Sequence, residues 1–207
     1  MTVDWDMVQF KRKIIDNARY LFSNYIDTSK GLDALYNRPE VSSDSVICHK
    51  NYNMVRVTGE SSGEHIVAWE IDDASKINKL YVRAKVNPKT KREASLILTD
   101  SSLENCILFT IAPPEDNSDF KVIFRKNGSY STIYTKSIDL SFHQYYIIEE
   151  MIDFNNNTIY SILDNEYKAI LYPKTLPSFD IIHLGLRTQY SDDIPALHAK
   201  DIFITWE

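Results

Sequence analysis

Carboxylates spaced for one face of a strand are the residues of this sequence best suited to bond-breaking chemistry. Glu70 and Asp72 stand two apart, so both would project from the same face of a strand. Two such carboxylates can act as the nucleophile and the acid/base of glycoside hydrolysis. A second acidic group follows at Glu149 and Asp153. The alternative is that these are solvent-facing strand residues paired with lysines or arginines.

Aromatic side chains give a better indication of a ligand. Sugars stack their C–H faces on flat rings while polar side chains bond the hydroxyls, and ligand sites generally combine apolar walls with a few polar groups. The predicted ligand-binding rings, with two polar residues near predicted turns, are Trp69, Tyr130, Tyr134, Tyr145, Tyr160, Tyr190, Arg187 and Asn127. The competing interpretation is that most of these rings belong to the core, where aromatics supply much of the buried area.

Metal and cofactor chemistry is indicated only weakly. Asp192, Asp193 and Asp201 could meet near the last loop, and calcium prefers oxygen-rich loops. Solvated loop acids are the favoured interpretation, with a structural calcium ion as the alternative. The five histidines include no pair spaced for a metal, and the sequence has no Gly-rich phosphate loop, G-x-S-x-G or H-E-x-x-H motif. We expect no other cofactor.

Composition excludes several classes of protein. The formal net charge is -6, whereas nucleic-acid binders are usually basic. No apolar run approaches the roughly 20 residues that cross a bilayer. The N-terminus lacks the basic start and apolar region of a secretory signal, so we expect a cytoplasmic protein or one carried in a virus particle. Cys48 and Cys106 form no C-x-x-C motif and are predicted to be small buried hydrophobes.

The elements that must position these residues are β-strands. Residues 145–172 hold three strand-length segments separated by Asn-rich and Asp-Asn breaks, which predicts an antiparallel meander. From Ser45 onward, strand signals recur about every 8–15 residues with no helix between them. Asn127-Gly128 between two such segments is a strong hairpin signal. The pattern predicts an all-β fold, an antiparallel two-sheet β-sandwich of the jelly-roll type, because parallel strands need long crossovers.

Alternation assigns the faces of two predicted strands. In 79–86, Leu80, Val82, Ala84 and Val86 point to the core, while Tyr81 and its alternate neighbours point to water. In 145–154 both faces are largely apolar, which predicts a strand in the middle of a sheet with cover on both sides.

The N-terminal region has a different pattern. Residues 4–26 carry apolar side chains three and four apart, which predicts an amphipathic helix. Its stripe, a candidate assembly surface, comprises Met7, Phe10, Ile14, Ala18, Leu21 and Tyr25. The helix would either pack on the sandwich or bind sister copies or another protein. The predicted division is a helical arm over 1–27, a connector over 28–44 and the β-sandwich over 45–207.

Four segments of the chain together form a pattern typical of one family: LYVRAKV at 80–86, residues 145–153, TIYSILDNEY at 158–167 and KDIFI at 200–204. Through these segments the chain resembles the concanavalin A-like lectin/glucanase superfamily, which includes laminin-G-like domains and many carbohydrate-binding modules. The family's "LDG" turn is here Leu163-Asp164-Asn165, and Asp201 precedes the closing strand as is common in the family. The resemblance implies a two-sheet sandwich whose concave face or end loops often hold sugars.

The resemblance also weighs against catalysis. Glucanases of this superfamily carry E-x-D-x-E or E-x-D-x-x-E on one strand. Here Ala74 and Ser75 stand where a third acid would follow Glu70 and Asp72, and Met151 fills the middle position after Glu149.

Three functions remain from the sequence. We favour a non-catalytic carbohydrate-binding or adhesion module, namely a virus or phage tail, fibre or baseplate protein that recognises a surface glycan. Its helix would attach it to other virion proteins or to sister copies in a homo-oligomer. The alternatives are a glycoside hydrolase or lyase of the same superfamily and a purely structural assembly protein. Neither nucleic-acid binding nor membrane insertion is expected.

Overall fold

The computed structural model describes residues 19–22, 41–42, 46–51, 54–59, 63–88, 93–112, 118–141, 144–190 and 197–207. Within these ranges the chain forms two β-sheets and a short 3-10 helix, Ala74–Lys76. The strands before that helix are β1 Arg19–Phe22, β2 Val41–Ser42, β3 Val46–Asn51, β4 Met54–Gly59 and β5 Gly63–Asp73. Those in the middle are β6 Lys79–Pro88, β7 Ala94–Thr99, β8 Cys106–Ala112, β9 Asp119–Lys126 and β10 Ser129–Ser137. The last are β11 Tyr146–Asp153, β12 Thr158–Leu163, β13 Tyr167–Leu171, β14 Ile181–Tyr190 and β15 Leu197–Trp206.

The strands form two antiparallel layers. The seven-stranded sheet has the order β10-β9-β8-β7-β14-β5-β2. The eight-stranded sheet has the order β13-β12-β11-β6-β15-β4-β3, with β1 also paired to β15. The described ranges contain no α-helix, and every described strand pair is antiparallel. The predicted antiparallel two-sheet sandwich is confirmed.

The core lies between the two sheets and follows from side-chain alternation. In β6, Leu80, Val82, Ala84 and Val86 are all fully buried, as their spacing predicts. The prediction that Tyr81 faces water is wrong, because this ring points outward yet is buried beside Phe203. Strand β11 lies between β12 and β6 and is buried on both faces, as predicted for 145–154.

The turns follow the chemistry of their residues. Strands β11, β12 and β13 pair in succession and confirm the meander. Asn127 and Gly128 both have positive φ, at 48° and 78°, which matches the twist of the β9–β10 hairpin. Asp164 and Asn165 also have positive φ, at 51° and 60°, so asparagine fills the position of the family's glycine.

The N-terminal prediction needs a correction. Arg19–Phe22 is a strand that pairs with Ile202–Ile204 of β15, so the predicted helix is wrong for these four residues, Leu21 among them. Pairing with β15 gives the backbone N–H and C=O groups of Arg19–Phe22 their hydrogen-bond partners. Helix propensity is a local property and does not detect such a distant partner. Met7, Phe10, Ile14 and Tyr25 lie outside the described residues, as does most of the connector. The division into arm, connector and sandwich stays a prediction, although β1 and β2 both add to the sheets.

Two further sequence predictions concern membranes and cysteines. Among the described residues there is no helix with the length and apolar character of a membrane span. Cys106 is a free, buried thiol, which confirms its prediction as a small hydrophobe. Burial raises the pKa of the Cys106 thiol to about 11, so it is not an activated nucleophile. The side chain of Cys48 is not described.

Candidate ligand-binding site

The outer face of the seven-stranded sheet carries a cluster of charged side chains around an exposed tyrosine ring. Strand pairing sets Glu64 opposite Gln189 and Tyr130 opposite Arg125. We call this cluster the Tyr130 site; its members are Glu64, Glu93, Arg125, Tyr130, Arg187 and Gln189. Its residues come from four strands and from the residue before β7, so no short motif encodes it.

The contacts within the site show that this face is strongly curved. Glu64 lies on β5, yet its carboxylate accepts a hydrogen bond from Tyr130 Oη on β10 at 2.6 Å and pairs with Arg125 Nη1 on β9 at 3.4 Å. Three strands separate β5 from β9. In a flat sheet four strand spacings would be about 19 Å, more than an arginine and a glutamate side chain span together. The outer face must therefore bend into a trough whose two sides meet at Glu64.

Apolar side chains line the strands within this trough. They form a small cluster separate from the main core, consisting of Ile66, Ile97, Cys106, Leu108 and Ile123, with Leu103 packed against it. All five cluster members are buried. The charged groups of the Tyr130 site therefore sit in an environment with a lower dielectric than open water, which strengthens their mutual attraction.

Arg187 anchors the site. Its side chain is only 6% exposed, and each of its donating nitrogens has an acceptor. Nε donates to Glu64 Oε1, Nη1 donates to Glu93 Oε2 at 3.0 Å, and Nη2 donates to Gln189 Oε1 at 3.3 Å. A buried guanidinium is stable when carboxylates and hydrogen bonds satisfy it in this way. Arg187 thus holds three side chains in fixed positions rather than offering a free charge.

The charges of the site are mutually stabilised. Burial alone would raise the pKa of Glu64, but the charge of Arg187 and the hydrogen bonds from Tyr130 and Arg187 hold it below its usual range. Burial would lower the pKa of Arg187, and the carboxylates of Glu64 and Glu93 raise it instead. Burial and the bond to Glu64 raise the pKa of Tyr130, so its hydroxyl remains a donor. Glu64 and Arg187 are therefore a charged pair at neutral pH.

Tyr130 is the exposed ring of this network. It is 47% exposed, while its hydroxyl is held by Glu64. The guanidinium carbons of Arg125 and Arg187 lie 5.1 Å and 5.9 Å from its ring centre, within the range of cation–π attraction. An exposed ring held at its hydroxyl and against two cations is rigid, and a rigid flat surface flanked by polar groups can stack a small polar ligand.

The structure brings together only some of the predicted ligand-binding residues. Tyr130 and Arg187 meet in the Tyr130 site, and the backbone of Tyr190 pairs with Gly63 beside it. Trp69 is 1% exposed in the core, so its ring cannot stack on a ligand at the surface. Tyr134 packs against the same core because β10 shifts register between Thr132 and Tyr134.

The remaining predicted aromatic and turn residues lie elsewhere. Tyr145 precedes β11 of the eight-stranded sheet, with Lys200 Nζ 4.1 Å from its ring centre. Tyr160 is on β12 of that sheet, in the outer cluster that contains Tyr81. Asn127 is in the β9–β10 turn, where its N–H donates to Asn105 Oδ1. None of these three belongs to the Tyr130 site.

Three of the carboxylates that the sequence analysis weighed for catalysis have structural partners. Asp72 accepts a hydrogen bond from Lys76 Nζ at 2.9 Å, and this bond helps to hold the pKa of Asp72 below its usual range. A carboxyl group with a lowered pKa is unsuitable as a general acid. Tyr81 Oη donates to Glu149 at 2.6 Å in a buried contact, and Asp153 accepts from the N–H and the amide of Asn156. Glu70 is exposed on β5.

The calcium prediction is not tested by the structure. Asp201 bonds Lys85 Nζ at 2.6 Å, and Asp192 and Asp193 lie outside the described residues. The described part of the chain has no group of three or more His, Cys, Asp or Glu side chains arranged for a metal ion.

Sequence reasoning missed Glu64, Glu93, Arg125 and Gln189. Each is a charged or polar residue at an alternate position or end of an apolar strand, which usually means solvent exposure. Only the charge alternation hinted at them: Arg125 alternates with the buried Phe124 and pairs across the hairpin with Tyr130.

The fold has several known counterparts among solved structures. The carbohydrate-binding module CBM66 from Bacillus subtilis matches with a TM-score of 0.63 and 11% identity, over 82% of this chain and 98% of that one. A legume lectin-like domain from Entamoeba histolytica matches with 0.58 and 12% identity, over 84% and 92%. The CBM2 module of the evolved Dit of Lactobacillus casei BL23 phage J-1 matches with 0.53 and 11% identity, over 80% of each chain.

These likenesses confirm the predicted resemblance to lectin-like sandwiches at the level of the fold. Identities this low show the architecture alone. No protein-family model matches the sequence, and no curated protein is similar enough to count as a relative.

Proposed function

We propose that this chain is a carbohydrate-binding module and that glycan binds at the Tyr130 site. The observation that carries the proposal is the exposed Tyr130 ring, held by Glu64 and two arginines on the curved face of a lectin-like sandwich. The structural counterparts described as carbohydrate-binding modules or lectin-like domains support it.

The site offers the two kinds of contact that a sugar needs. The C–H face of a pyranose or furanose ring stacks on Tyr130. Its hydroxyls reach carboxylate oxygens of Glu93, the exposed amide of Gln189 and the guanidinium of Arg125. Because Arg187 fixes Glu93 and Gln189 before the ligand arrives, little side-chain entropy is lost on binding.

We propose that the module is non-catalytic. Glycoside hydrolysis needs one carboxyl with a raised pKa as the general acid beside an ionised partner. At the Tyr130 site, Arg187 binds both Glu64 and Glu93, and the pKa of Glu64 is lowered. This arrangement favours ligand binding over protonation of a leaving group.

The wider role we propose is host recognition by a virus or phage structural protein, located in the virion or in the cytoplasm before assembly. The apolar spacing of Met7, Phe10 and Ile14 supports attachment to other structural proteins or to sister copies. The phage CBM2 module of the same fold is compatible with such a setting.

A glycan array probed with the full chain tests the binding proposal. We expect binding to at least one glycan class, and we expect Tyr130→Ala to weaken it at least about tenfold, which is 1.4 kcal/mol. Loss of the ring removes the stacking surface and frees Glu64 from one of its donors.

Tyr172→Ala is the matched control, because Tyr172 is 75% exposed and follows β13 in the other sheet. It should leave binding unchanged. Equal binding by wild type and Tyr130→Ala, or no binding to any glycan, would contradict the proposal.

A further inference from the structure

We infer that the Tyr130 site selects neutral glycans over acidic or sulfated ones. This inference rests on the proposed function and specifies its ligand. It follows from how the charges of the site are already paired.

Every cation of the described site has carboxylate partners. Arg187 contacts Glu64 and, at 3.0 Å, Glu93. Arg125 lies 3.4 Å from Glu64. Lys121, next to the site on β9, lies 3.8 Å from Glu93 and 4.0 Å from Asp119.

Three cations therefore face three carboxylates. Acidic glycans are usually bound by arginine or lysine groups that can turn to a carboxylate or sulfate. Here Arg187, the arginine with the most contacts, is 6% exposed and each of its three nitrogens already donates to an acceptor, so its guanidinium is not free to turn to an anion.

The site also offers accessible acceptor atoms. The side chains of Glu64 and Glu93 are each 26% exposed. Among the described residues, the carboxylate of Glu93 accepts one hydrogen bond, from Arg187, and an ionised carboxylate has about four lone-pair positions. Sugar hydroxyls can donate to the remaining positions.

The paired charges of the site do not favour an anionic sugar. A carboxylate or sulfate on the ligand would meet three cations that already face three carboxylates, so it would gain little net attraction. It would also have to give up part of its hydration shell at a site where each described cation already has a carboxylate partner. A neutral sugar brings only hydroxyl donors and an apolar ring face.

Isothermal titration calorimetry with matched oligosaccharides tests the inference on the full chain. The probes are the glycan found on the array, or gluco-oligosaccharides of equal length, each in neutral, uronic-acid and sulfated forms. We expect the neutral form to bind at least tenfold more tightly than either anionic form. Its affinity should also be nearly unchanged between low and physiological salt, because no ion pair forms with the ligand.

The outcomes separate the inference from the proposed function. An anionic form that binds as tightly as the neutral form, with binding lost in Tyr130→Ala, would overturn the inference and leave the carbohydrate-binding proposal standing. If no form binds, or if binding survives Tyr130→Ala, the proposed site itself is wrong and the inference falls with it.

A charge variant gives a second test. Glu93→Gln removes one carboxylate and leaves Lys121 and Arg187 with fewer partners. We expect the ratio of neutral to anionic affinity to fall severalfold in this variant. Glu166→Gln, the same charge change in the exposed β12–β13 turn, should leave the ratio as in wild type. An unchanged ratio in folded Glu93→Gln would count against the inference.

Discussion

The pKa of Glu64 is lowered and the pKa of Glu150 is raised, because the surroundings of the two carboxyl groups differ. Glu64 is held ionised by arginines, whereas Glu150 is fully buried on the core-facing side of β11. Ser161 Oγ donates to Glu150 Oε1 at 2.8 Å, and Glu150 Oε2 has no hydrogen-bond partner among the described residues. Burial, with a further contribution from the charge of Glu149, raises the pKa of Glu150 well above its usual range.

This buried carboxyl predicts a pH-dependent stability. The native state keeps the proton of Glu150 at pH values where the unfolded chain has lost it. The stability that Glu150 contributes to the folded state is therefore fully present below the usual carboxyl pKa. It is lost as the pH rises toward the raised pKa that Glu150 has in the native state. Glu150→Gln removes that loss, so its Tm should exceed the wild-type Tm at pH 8 by several degrees and approach it at pH 4–5.

Thermal unfolding of both proteins across pH 4–9 measures this difference. The exposed Glu166→Gln serves as the control and should show no pH-dependent gain. A Tm difference between Glu150→Gln and wild type that stays constant with pH would show that Glu150 is not protonated in the native state.

At the scale of elements, the contact between β14 and β5 is unusually close at Gly185. A Cβ added there would lie 2.3 Å from the carbonyl oxygen of Val67 and 2.7 Å from Ala68 Cβ. Gly185 and Arg187 are at alternate positions of β14 and therefore lie on the same face of the sheet. This close contact thus lies within the trough that shapes the Tyr130 site. Close strand approach is one of the reasons for glycine in the interior of a strand.

Gly185→Ala should therefore destabilise the sandwich by about 3 kcal/mol, since backbone atoms of β5 must move. Gly128→Ala is a matched comparison: its φ is 78°, but nothing lies within 4 Å of the added Cβ. That substitution should cost only about 1 kcal/mol, from backbone strain. Urea denaturation measures both, and equal losses would contradict the close packing of β14 on β5.

At the scale of the whole molecule, the predicted N-terminal arm, residues 1–27, is the candidate surface for self-association. The sandwich has its own core, and β1 pairs with β15 at the edge left beside β4. Of the apolar stripe, Met7, Phe10, Ile14 and Tyr25 lie outside the described residues and stay candidates for assembly.

Light scattering on the purified chain tests this. We expect a homo-oligomer, and we expect Phe10→Asp to shift it to monomer by placing a charge in an apolar contact. Gln9→Asp makes the same charge change outside the stripe and should leave the mass unchanged. A wild-type chain that is monomeric at all concentrations would rule out self-association through the arm.

Patterns local in the sequence predicted the fold well. The β9–β10 hairpin followed from Asn127-Gly128, the meander from its polar breaks, and the buried face of β6 from alternation, because turn geometry and side-chain period are set by neighbouring residues. The helix predicted over 4–26 is wrong at Arg19–Phe22 because its spacing is a local pattern, whereas the strand found there depends on pairing with Ile202–Ile204, far away in the sequence.

The sequence by itself determined the class of fold, the lectin-like resemblance and two members of the site, Tyr130 and Arg187. The tertiary structure decided that Trp69 is core, and it decided which charges surround Tyr130. The physical reason is curvature: Glu64 meets Arg125 and Tyr130 only because the sheet bends across three intervening strands. Such bending is the sum of twist and packing over the whole sheet, and no stretch of sequence contains it.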